Sequence, residues 1–168
     1  MTRSRSFAAV ISRTLTLDEP PALEEVRRRR AGLHAAMAGL EAALAAPAGD
    51  TAGWSRRVGE ALDGLGEVWS RHCADTEAPG AFLDEITAEA PRLAGPVGQM
   101  RREHADVSGL ICRLGRRVAP TVAADETEAR IEEIRSDATV LLGLLVRHRQ
   151  RGADLVYEAF AVDIGGGY

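Results

Sequence analysis

A chain of 168 residues with 45% apolar side chains is about the size of one domain and can bury one real core. Its formal net charge of -4 gives no general reason for nucleic acid to bind, and no run of 18 apolar residues offers a membrane span. Alanine, leucine, glutamate and arginine dominate, while the β-branched and aromatic residues that strands favour are sparse, so an all-α fold is expected.

The N-terminal stretch MTRSRSFAAVISRTLTLDEP carries a short apolar patch that Arg13 interrupts, which makes a poor secretion signal. Residues 1–17 read as a flexible arm. The first helix is expected after Asp18, a plausible cap, with Pro20 and Pro21 near its start, and it runs to about Ala46 before PAGDTAG breaks it. Within it the run RRRR at 27–30 lacks interleaved aromatics and reads as a solvated helix face. A second helix is expected from about Trp54 to Asp75, followed by the EAPG interruption and a short helical piece, FLDEITAEA. The third begins after the GP pair at 95–96 and ends near Val118. The fourth opens at about Asp125 and continues toward Phe160, leaving a glycine-rich tail at 161–168. Four long segments with short breaks predict an up-down-up-down four-helix bundle over residues 18–160. Cys73 and Cys112 lie in separate segments without paired spacing, which fits free thiols in a reducing compartment and a cytoplasmic location.

Each long segment carries one histidine: His34, His72, His104 and His148. Val97, Met100, His104, Val107, Ile111, Leu114 and Val118 follow steps of three and four, which places His104 on the core stripe. His148 holds the same register among Leu141, Leu145, Gly152, Leu155 and Ala159, and His72 among Leu62, Leu65, Trp69 and Thr76. His34 borders the stripe of Leu33, Met37, Leu40 and Leu44. All four imidazoles are therefore expected to face one interior at compatible depths. Burying four polar rings without partners would cost several kcal/mol, whereas neutral imidazoles are good ligands for transition metals, iron and zinc included. A hydrogen-bonded histidine cluster retained for fold specificity is the alternative.

Four stretches carry a resemblance: LHAAMAGLEAAL, WSRHCADTEAPGAF, MRREHADVSGLICRL and LLVRHRQRGADLVYEAF. Over about residues 20–160 the chain resembles the hemerythrin-like, or HHE cation-binding, four-helix domains. The resemblance implies metal binding by the four histidines and a role in dioxygen binding, oxygen or redox sensing, or metal handling, with dioxygen or another small molecule as ligand. Relatives often place a bridging glutamate just after the second-helix histidine, a carboxylate four residues after it, and an acid four residues after the last histidine. Here those positions hold Cys73, Thr76 and Gly152. Two iron ions less than about 4 Å apart need anionic ligands to offset their repulsion, so an ordinary diiron centre is not expected.

Asp75, three residues after His72, shares its face and is the best-placed carboxylate substitute. Glu77 would face about 140 degrees away, Cys73 offers a thiolate about 100 degrees from His72, and Glu103 and Asp154 are expected at solvent or a helix seam. Three functions remain open: a reduced metal site with four histidines, a metal-free bundle serving as a protein-interaction or regulatory module, and an enzyme using a pocket left by the missing ligands, lined by Tyr157. Substrate, partner protein and oligomeric state are not encoded in any motif.

Overall fold

The computed structural model describes residues 21–119 and 127–160. The arm at 1–17, the expected helix start at Asp125, the tail at 161–168 and the side chains of the 27–30 arginines lie outside the described residues. All regular structure described is helical: α1 (Pro21–Ala45), α2 (Thr51–Glu77), α3 (Phe82–Glu89), a 3-10 turn (Pro91–Leu93), α4 (Ala94–Val118) and α5 (Thr127–Phe160).

The boundaries follow local chemistry. Asp50 caps α2, its side chain accepting the Gly53 N–H at 3.0 Å. α2 continues two residues past the expected end because only Pro79 stops it, forcing Ala78 into an extended conformation with ψ 149°. Gly80 then turns at φ 73°, and its N–H donates to Asp84 at 2.9 Å. This extra half turn of α2 carries Glu77 toward the site described below. α4 begins before the expected point, at Ala94, since Pro96 in a first turn gives up an N–H that has no intrahelical acceptor anyway.

The four long helices share one apolar core, with Leu40 from α1, Trp54 and Leu65 from α2, Leu114 from α4, and Leu141 and Leu145 from α5 all essentially inaccessible. Each such side chain contributes about 1.5–3 kcal/mol by leaving water. Arg135 of α5 ties this core to α1: its guanidinium donates to the Leu44 and Ala46 carbonyls at 3.1 and 3.3 Å and lies over the Trp54 ring. A second cluster forms where α3 and the 3-10 turn cover Val97 and Met100 of α4 and Leu155 of α5. His104 falls between Met100 of the second cluster and Val107 of the first, and His148 between Leu145 of the first and Leu155 of the second. The imidazoles thus form a polar layer between two apolar ones.

Candidate metal centre

His72 comes from α2, His104 from α4 and His148 from α5. One ring nitrogen of each lies within 4.8 Å of the other two, so the three could hold a metal ion. His104 and His148 are buried and His72 is half-buried. The ring centroids stand 4.8 to 5.2 Å apart. Trp69, one turn before His72, lies against all three rings at 5.0 to 5.4 Å, held by its indole N–H donating to Ser108 Oγ at 3.0 Å and to the His104 carbonyl at 3.4 Å.

The outer edges of two imidazoles are engaged by carboxylates. His104 Nδ1 meets Glu77 Oε1 at 2.5 Å and His148 Nδ1 meets Glu103 Oε2 at 3.3 Å. Glu103 is itself buried, and its other oxygen takes the Arg151 guanidinium and the Gln99 amide. The Nε2 atoms of the three rings differ in their surroundings. Those of His72 and His148 are 3.1 Å apart, while His104 Nε2 is buried with no hydrogen-bond partner among the described residues. Such an orphan costs about 1–3 kcal/mol, which a bound cation would offset. A tetrahedral ion with nitrogens about 2.0–2.1 Å away sets them about 3.3–3.4 Å apart, close to the 3.1 Å of the His72–His148 pair. Drawing in the widest separation, up to 4.8 Å, takes a shift of roughly 1.5 Å, within the reach of a side-chain rotation. The residues present therefore fit a transition ion.

Burial, and the neighbouring imidazoles of His104 and His72, push the His148 pKa down to about 3. His148 is thus neutral at physiological pH, the state in which imidazole ligates.

The expectation that four histidines converge is corrected at one position. His34 is exposed: Leu33 takes the inward place on α1, and the next residue is turned about 100 degrees from it. Asp75 is half-buried and outside the group of converging ligand atoms. Cys73 is also outside it; burial first, then the charge of Glu77, raises its pKa to about 11, so the thiol stays protonated and packs against the core. Glu77 does reach the site, though from behind His104 and not along the face of His72, because its neighbour is α4 across the helix seam. Thr76 turns back on its own helix, donating to the His72 carbonyl at 2.8 Å. A Cβ at Gly152 would meet the Met100 methyl at 3.9 Å, and Tyr157 is 69% exposed. Asp154 is exposed and bonded to Gln150, whereas Glu103 lies buried in the α4–α5 seam.

Trp69, Arg151 and Gln99 are site residues that sequence reasoning did not single out. Trp69 had a signal, since it stands three residues before His72 on the same stripe. Arg151 and Gln99 had none, being polar residues off the apolar stripes of their helices. A surface groove of about 680 Å³ between α1 and α5, lined by Glu41, Leu44, Arg135 and Val146 among others, includes none of the three imidazoles. No described helix is long and apolar enough to cross a membrane. Comparison with family models, curated proteins and solved structures found no match to this chain.

Proposed function

We propose that this protein is a divergent hemerythrin-like four-helix bundle that binds a single transition-metal ion through His72, His104 and His148, for oxygen or redox sensing or for metal handling. The carrying observation is the convergence of three ring nitrogens, one from each histidine, within 4.8 Å of one another, together with a buried His104 Nε2 that lacks a partner among the described residues. The order of helices and the inward registers of His72, His104 and His148 support the family reading. Three imidazoles suit a borderline ion such as zinc or ferrous iron. When bound, the ion would supply Lewis acidity or, if iron, a redox couple. The chain's own part is to hold the ring nitrogens, to shield them from water with Trp69, and to keep His148 neutral. Glu77 and Glu103 touch the outer ring edges, which leaves the inner side short of the carboxylates that a pair of irons would need.

The test is metal analysis with absorption spectroscopy on protein purified under reducing, chelator-free conditions and loaded in turn with iron, zinc, copper and nickel. About one ion per chain is expected, with uptake lost in His104→Ala and His148→Ala and retained in His34→Ala. Failure to take up any of the four ions would overturn the proposal in favour of a histidine cluster that serves the fold alone. Roughly two irons per chain with oxo-bridge bands would overturn the single-ion assignment.

A further inference from the structure

Resting on the metal-binding reading, we infer that Glu77 and Glu103 are positioning residues that lock His104 and His148 in the Nδ1–H tautomer and so aim their Nε2 lone pairs at the ion. The arrangement passes from helix to helix. α2 supplies His72 and also Glu77, which orients His104 of α4; α4 supplies His104 and also Glu103, which orients His148 of α5. α5 supplies His148 and also Arg151, which braces Glu103. Each of these three helices therefore contributes both a ligand and a group that holds a side chain of a neighbouring helix.

An ionised carboxylate only accepts, so a ring nitrogen facing it must carry the hydrogen, and the opposite nitrogen then holds the lone pair a metal requires. Glu103 cannot move to another partner cheaply, because its side chain is 10% exposed and its second oxygen is taken by Arg151 and Gln99. Glu77 sits nearer water, at 34% exposure, but its contact with His104 is the shorter, 2.5 Å against 3.3 Å. His104 Nε2, buried and without a partner among the described residues, is where the tautomer matters most. Were the hydrogen there, it would point into the shared centre and bar an ion.

Glu77→Gln and Glu103→Gln test this, because an amide keeps the shape but can turn its NH2 toward Nδ1 and admit the wrong tautomer. Zinc and cobalt(II) titrations are expected to show each variant binding about 10–100-fold more weakly than wild type, while Asp154→Asn, a surface control, binds as wild type does. Circular dichroism and melting of the metal-free proteins check that each variant is folded, and nitrogen NMR of the histidine rings reads the tautomers directly. Wild type is expected to show Nδ1–H at His104 and His148 before any metal is added. Equal affinities in wild type and variants, or Nε2–H at those two histidines in the metal-free wild type, would overturn the inference. Absence of binding by wild type would instead defeat the metal-binding reading, and the ring tautomers would still decide the roles of the two carboxylates.

Discussion

Replacing Trp69 by phenylalanine removes the indole that underlies all three imidazoles, and its cost can be built from three parts. The hydrogen bond to Ser108 at 3.0 Å contributes about 1 kcal/mol. Ser108 is not stranded by the change, because its hydroxyl also donates to the His104 carbonyl at 2.7 Å, so no further penalty is added there. The smaller ring leaves a void of roughly 40 Å³, which at about 24 cal/mol per Å³ adds about 1 kcal/mol. Weakened ring contacts with His72, His104 and His148 add about 0.5–1 kcal/mol. The sum is about 2.5–3 kcal/mol, to be read as a shift in urea midpoint at unchanged slope, followed by circular dichroism in metal-free protein. A loss below about 1 kcal/mol would refute the placement of Trp69 as a buried support of the site. The other tryptophan, Trp54, lies in the first core beneath Arg135 and keeps its fluorescence as an internal control.

Metal-free protein is expected to lose stability in acid because His148 is held neutral in the fold. Its pKa is about 3 folded and 6.5 when free of the fold, so the unfolded chain binds the extra proton between those values and stability falls as pH falls through that window. From about pH 7 to about pH 5 this amounts to about 2 kcal/mol, and urea titrations of wild type and His148→Gln should differ in pH slope by that much; parallel slopes would contradict it. His34→Ala, at an exposed position, should change the melting temperature of metal-free protein by no more than an ordinary surface substitution, within about 0.5 kcal/mol. Gly152→Ala should stabilise α5 by about 0.5–1 kcal/mol, since its Cβ meets only the Met100 methyl at an ordinary 3.9 Å; a lower melting temperature would show that the space is needed.

The sequence by itself determined the helices and the inward registers of His104 and His148. Steps of three and four match the 3.6-residue turn, and any side chain on such a stripe is carried toward the core. Proline and glycine breaks placed the ends to within a few residues, because they act through local sterics. The same periodicity could not settle His34, which borders its stripe: one residue, or about 100 degrees, separates burial of Leu33 from exposure of His34. Nor could it pair Glu77 with His104 or Glu103 with His148. Angle along one helix says which side chains share a face, and by that measure Glu77 points away from His72. Which helix lies across the seam, and at what height, is decided by packing of the two apolar clusters above and below the imidazole layer. Only that packing brings a carboxylate from one helix behind the histidine of the next, because such contacts depend on distances between helices that no spacing within a helix encodes.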